Sequence, residues 1–118
     1  MSLELTLDQL KAFDGSKPEG TIYISVKGVI YDVTSGSDFY GPGSGYHIFA
    51  GKEASRALAL MSLKQEDCTG NLEGLTEAQL ETLASWEAKF ALKYQVVGRL
   101  LQVDAEGRAV WDYSSAAC

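Results

Sequence analysis

Between Thr21 and Val33 the chain alternates twice. Ile22, Ile24 and Val26 are interleaved with Tyr23, Ser25 and Lys27, and beyond Gly28 the residues Val29, Tyr31 and Val33 are interleaved with Ile30 and Asp32. A period of two sends successive side chains to opposite faces of a strand, and Lys27-Gly28 interrupts the run where a turn is needed, so the stretch predicts a β-hairpin. The other strong signals are helical. In Leu5-Thr6-Leu7-Asp8-Gln9-Leu10, Thr6 caps a helix, Gln9 reaches back to it and Leu5 packs on Leu10, which predicts a short helix over 7–14 stopped by Gly15. The same grammar at Leu75-Thr76-Glu77-Ala78-Gln79-Leu80 opens a longer helix. Its apolar positions Leu80, Leu83, Trp86 and Phe90 advance in helical steps, with Glu81, Glu87 and Lys89 largely turned away. A third helix is predicted over 52–61, a polar loop over 62–74 and a strand over 96–101 that returns to the sheet. Helices and strands mix without a βαβ rhythm, so the expected class is α+β with a small sheet.

At 118 residues the chain fits one domain, able to bury roughly 65% of its unfolded surface. Ten basic residues against sixteen acidic ones leave a net charge of −6, which argues against a general nucleic-acid binder or a polybasic membrane-surface protein. Scarcity of ligands excludes more. With one histidine, His47, and two cysteines, Cys68 and Cys118, the chain cannot build a four-ligand zinc site of cysteine and histidine, a four-cysteine iron–sulfur cluster or a haem held by two histidines. Both cysteines are expected as free thiols, which suits a reducing compartment. No basic segment followed by an apolar stretch opens the chain, and no run approaches the roughly 18 apolar residues of a membrane span, so a soluble, cytoplasmic protein is expected. The domain is expected over 1–103. A C-terminal extension over 104–118 carries a turn signal at Asp104–Gly107 and a terminal strand around Val110 and Trp111, with its last five residues disordered.

The chemistry concentrates in Phe39-Tyr40-Gly41-Pro42-Gly43-Ser44-Gly45-Tyr46-His47-Ile48-Phe49-Ala50-Gly51-Lys52. A phosphate-binding P-loop fails: five residues rather than four separate Gly45 from Gly51-Lys52, and Glu53 stands where Ser or Thr would hold magnesium. Two readings remain open on the residues alone. The segment is either a connecting loop whose tyrosines close the core, or one wall of a flat apolar cavity, which four large rings among glycines suit better than a solvated loop.

Together with Thr21 to Thr34, Phe49-Ala50-Gly51-Lys52-Glu53-Ala54-Ser55-Arg56-Ala57-Leu58, Trp86-Glu87 to Phe90, Lys93-Tyr94 and Val97-Gly98, this segment resembles the membrane-associated progesterone receptor family. That family is the tyrosine-ligated branch of the cytochrome b5-like haem/steroid-binding fold, a small mixed sheet with helices forming a ligand cleft. The resemblance covers residues 5 to 101 and is strongest to small soluble plant steroid-binding proteins. It implies haem b held by Tyr46 as the single axial, metal-bound ligand. Tyr40 then lines the pocket and hydrogen-bonds near that ligand, while Lys93 and Tyr94 close the other side and Lys93 neutralises a propionate. Cytochrome b5 itself needs two axial histidines, and this chain has one. A phenolate is a hard anionic donor that favours ferric iron, so a five-coordinate, ferric, low-potential haem is expected.

His47, beside Tyr46, is a rival ligand, but neighbours in extended chain point to opposite sides and do not share one iron. A cleft without haem that binds steroids or other hydrophobic molecules is the alternative function, and a vestigial pocket on an interaction domain is a third. Lys52 and Arg56, a helical turn apart, either serve propionates or solvate a helix face. Trp86 and Phe90 read as core, and nothing near Cys68 supplies the electropositive setting of a reactive thiolate. No Ser-His-Asp set is present, so the protein is expected not to be an enzyme. By resemblance the module stores, senses or presents haem or regulates a haem enzyme such as a cytochrome P450, and an open haem face makes a haem-dependent homodimer plausible.

Overall fold

Thr6 closes one element and opens the next. In the computed structural model, which describes residues 3–101, strand β1 (Leu3–Thr6) runs directly into helix α1 (Leu7–Leu10). The predicted capping box forms: Thr6 Oγ1 accepts from the Gln9 amide at 3.2 Å, and Gln9 Oε1 accepts from the Thr6 amide at 2.9 Å. Leu5 and Leu10 share one apolar cluster with Ile30 and Leu100, as the predicted staple requires. The helix is shorter than 7–14, however. Its continuation is claimed by the hairpin, because the Tyr23 amide donates to Phe13 O at 2.9 Å and the Gly15 amide to Thr21 O at 3.1 Å.

The hairpin is β2 (Tyr23–Val26) and β3 (Val29–Asp32), with Val26 opposite Val29 and Lys27-Gly28 as a two-residue loop. Both loop residues have positive φ, 50° and 78°, the combination whose twist matches that of the flanking strands. Ile30 and Tyr31 fall into separate apolar clusters, as strand alternation demands. The expected returning strand is β4 (Gln95–Leu101). It pairs antiparallel with β3 and parallel with β1, giving a four-stranded mixed sheet in the order β1-β4-β3-β2. β1 was not predicted, since four residues carry too little period to announce a strand whose partner lies more than ninety positions away. Gly98 is required there: a side chain on it would collide with the carbonyl of Leu3.

Helix α2 (Ser37–Tyr40) follows the hairpin, then α3 (Ser55–Leu60) and the long α4 (Glu77–Lys93). The second capping box, Thr76 with Gln79, opens α4 as predicted. Helix α3 begins three residues later than the predicted 52, because the preceding backbone bonds to β2. The Ser25 amide donates to Lys52 O at 3.0 Å and the Ala54 amide to Ser25 O at 2.9 Å. Glu53, 1% exposed, is drawn inward with them. Its carboxylate accepts from the Gly28 amide (2.8 Å), the Ser25 hydroxyl (3.2 Å) and the Ser55 amide (3.0 Å), tying the hairpin turn to α3. The loop over 62–74 contains one short 3-10 turn, Gln65–Asp67. The domain boundary at 103, the extension over 104–118 with its terminal strand, and Cys118 lie outside the described residues.

Candidate functional site

The glycine-rich segment turns back on itself. In Gly41-Pro42-Gly43-Ser44 the Ser44 amide donates to Gly41 O at 3.0 Å, with proline second and Gly43, at φ 85°, third, the residue types a type II turn needs. The Tyr46 amide then donates to Phe39 O at 3.0 Å, which brings Tyr46 alongside Tyr40 at the end of α2. Their ring centroids are 6.4 Å apart, and no hydrogen bond joins the two hydroxyls among the described residues. Beyond Tyr46 the chain forms a 3-10 turn, His47–Phe49, and the ring of Phe49 stacks on Tyr46 at 6.0 Å, within 8° of parallel.

Helix α4 forms the opposite wall. Trp86, Lys89, Phe90 and Lys93 recur along one side of it, and Tyr94 follows at its end. With Phe39, Tyr40 and Tyr46 they enclose a cavity of about 210 Å³. Tyr40 packs on Phe90 (6.1 Å) and edge-on against Tyr94 (6.4 Å). The Tyr94 hydroxyl fits only because residue 36 is glycine, since a Cβ there would lie 2.5 Å from it. A second hollow of about 170 Å³ adjoins, walled by Phe49, Leu58, Met61 and Leu63; Tyr46 and Trp86 line both. The shared Tyr46 and Trp86 stand between the two hollows and form the waist of one cleft.

Tyr40 is buried and Tyr46 is 43% exposed. Burial pushes the Tyr40 phenol up to about 12, with the neighbouring Tyr94 and Tyr46 adding to it. Tyr40 therefore stays neutral at physiological pH. The two lysines lie over rings of the wall: Lys93 Nζ is 5.3 Å from the centre of Phe39 and 5.6 Å from that of Tyr94, and Lys89 Nζ is 5.0 Å from Trp86. Thus Tyr40, Tyr46, Lys93 and Tyr94, the residues picked from the sequence, line a single cavity.

Other expectations need correction. Tyr46 is not in extended chain (φ −108°, ψ 18°), so alternation does not separate it from His47. A hydrogen bond does: His47 Nε2 donates to the Asp14 carbonyl at 2.9 Å, which turns the imidazole towards the start of the hairpin. Lys89 is exposed, as expected, but also lines the cavity, while Glu87 is part-buried and pairs with Lys27 at 3.3 Å. Trp86 and Phe90 contribute to the core as predicted and also to the cleft, a double role that their spacing alone cannot reveal. Arg56 neither faces the cleft nor merely solvates a helix; its Nη1 donates to the carbonyls of Asn71 and Glu73, both at 2.9 Å, and pins the long loop. Burial pushes the Cys68 thiol up, away from the thiolate form. Among the described residues no cluster of three or more His, Cys, Asp or Glu side chains is arranged to hold a metal ion, and no helix is long and apolar enough to cross a membrane.

Known proteins agree with this architecture. Residues 6–101 match the family described as Cytochrome b5-like Heme/Steroid binding domain. The chain is 50% identical over 99 residues to "Probable steroid-binding protein 3" of Arabidopsis thaliana, covering 84% of this chain and 99% of that one. It is 42% identical over 106 residues to "Membrane-associated progesterone receptor component 2" of Homo sapiens, covering 87% of this chain and 47% of that one. It spans less than half the length of the plant proteins named membrane steroid-binding protein that it matches. An Arabidopsis thaliana protein solved with a cytochrome b5 like fold superposes with a TM-score of 0.77 at 49% identity, over 84% of this chain and 91% of that one. An α+β fold with a mixed sheet, an aromatic cleft between α2 and α4 and these relatives lead to one assignment: the chain belongs to the cytochrome b5-like heme/steroid-binding domain family, within its membrane-associated progesterone receptor group.

Proposed function

We propose that the cleft binds haem b, with Tyr46 as the single axial ligand of a five-coordinate ferric iron, Lys93 countering a propionate, and Tyr40 and Tyr94 forming the wall. The observation that carries this reading is convergence. Tyr40 comes from the end of α2 and Tyr46 from the loop that follows it, Lys93 and Tyr94 come from the far end of α4, and all four line one cavity. The donor set suits the group: an accessible phenol, flat apolar walls, and cations at the rim of a protein whose net charge is −6. Bound haem supplies an iron centre that a hard phenolate donor biases towards the ferric state, at low potential. The protein's own part is to orient the ligand between Tyr46 and α4, keep Tyr40 protonated beside it, and offset its negative charge. Such a module stores, senses or presents haem, or regulates a haem enzyme of the cytochrome P450 class, and pairs with a second copy across an open haem face.

A steroid or other hydrophobic small molecule in the same cleft, without iron chemistry, is the second reading. It is favoured by the apolar walls and by the names of the plant relatives. Absorbance near 400 nm in the purified protein, followed by haemin titration with and without Tyr46→Phe, separates the two. The haem reading expects a saturable Soret band whose ferric charge-transfer features change in the variant. An unchanged ferric spectrum overturns Tyr46 as ligand, and failure of haemin to bind leaves the steroid reading.

A further inference from the structure

Lys89 and Lys93 stand one helical turn apart on α4, and both contribute to the larger cavity. Side chains at that spacing share a helix face, with roughly 5–6 Å between their Cβ atoms. Each ammonium group rests over an aromatic ring that itself lines the cavity, Lys89 on Trp86 and Lys93 on Phe39. Cation–π attraction thereby favours positions at the rim over positions in bulk water. Neither lysine has a carboxylate within 4.0 Å among the described residues. Lys27 and Lys11 pair with Glu87 and Asp8, while Lys17, Lys52 and Lys64, away from this cavity, also lack a carboxylate partner among the described residues. In a protein with a net charge of −6, two adjacent cations left without acidic partners mark the edge of an aromatic hollow.

We infer that the cleft selects a flat apolar ligand bearing two acidic groups on one edge, with Lys89 as a second anchor beside Lys93. The inference deepens the haem reading above and rests on it. It also gives Lys89 a specificity role, since a neutral steroid has nothing for either ammonium group to bind, whereas a planar dicarboxylate engages both. Because both cations are exposed, each contact is modest in strength and screened by salt.

The test compares haemin with its dimethyl ester, in which both propionates are uncharged, on the parent protein, Lys89→Gln, Lys93→Gln and the double variant. Thermal midpoints verify that all four are folded. The parent is expected to bind the diacid more tightly than the diester. Lys89→Gln should weaken diacid binding by roughly two- to five-fold, the size of an exposed ion pair, and leave the diester unaffected. In the double variant the preference for the diacid should vanish. Equal affinity of the parent for acid and ester, an unmoved diacid affinity in Lys89→Gln, or an equal loss for both ligands would overturn Lys89 as an anchor while leaving Tyr46 ligation standing. Failure of the parent to bind haemin at all would instead overturn the underlying haem reading, and this proposal with it.

Discussion

Tyr40 and Tyr46 hold their rings 6.4 Å apart, yet Tyr40 is 7% exposed and Tyr46 43%. Two identical side chains six residues apart are thereby given different surroundings. The buried phenol is a neutral wall group, and the exposed residue lines both hollows of the cleft.

The Tyr40 phenol makes stability fall at alkaline pH. Its ordinary value is about 10, and the fold raises it to about 12, so between those values the folded chain holds a proton that the unfolded chain has lost. This contribution is complete below pH 10 and disappears as pH rises through 12, a loss on the order of 2–3 kcal/mol. Denaturant unfolding at pH 9 and pH 11 should show a smaller alkaline loss in Tyr40→Phe than in the parent. Equal losses would contradict it.

Glu53 acts in a lower window. Burial, the largest influence, raises its carboxyl above 4.5 against the pull of the Gly28, Ser55 and Ser25 donors. The folded chain then binds more protons than the unfolded one above pH 4.5, so stability from this group declines as pH rises out of that region. Glu53→Gln removes the titration and places an amide donor facing the Ser55 amide, a pH-independent cost of about 1–3 kcal/mol. The gap between parent and variant should be widest near pH 4.5 and narrow towards neutrality, as chemical denaturation across that range will show. A constant gap would indicate a carboxylate that is charged throughout.

Gly36 makes room for the cleft wall. Gly36→Ala drives a methyl group against the Tyr94 hydroxyl, 2.5 Å from the added atom, and should cost about 1–3 kcal/mol while displacing Tyr94 from the cavity. Thermal melts and haemin titration are the measurements. Combining the change with Tyr94→Phe should restore part of the lost stability.

Met61 ends α3 in the left-handed region at φ 53°, with its side chain 77% exposed. Glycine adopts that conformation without strain, and little packing is lost with the methionine. Met61→Gly should therefore stabilise the protein by about 0.5–1 kcal/mol, a gain of several degrees in thermal midpoint.

Much of the fold was legible because its signals are local. Thr6 with Gln9 and Thr76 with Gln79 are capping pairs three residues apart, and Lys27-Gly28 lies between two runs of opposite register; each carries its own geometry wherever the segment ends up. The candidate site was legible by a different route. Tyr40, Tyr46, Lys93 and Tyr94 stood out through a resemblance spread along the chain, and no period or spacing brings residue 40 to residue 94. The outward turn of Lys89 is legible in the sequence, but its place beside the cavity is not, because periodicity ranks side chains by polarity and a cation resting on an indole ring looks the same in sequence as one in water.

By itself, then, the sequence determined the hairpin, the two capped helices, the α+β class and, through its single histidine, the impossibility of a haem held by two imidazoles. Tertiary structure decided the rest. It made Leu3–Thr6 a strand by laying it against β4, shortened α3 by drawing Glu53 beneath the hairpin turn, turned His47 to the Asp14 carbonyl, and set α4 across the aromatic loop to open the cleft. The division follows from range. Caps and turns are satisfied by hydrogen bonds a few residues away, whereas an edge strand, a buried carboxylate and a ligand wall take their free energy from partners that only the folded chain brings near.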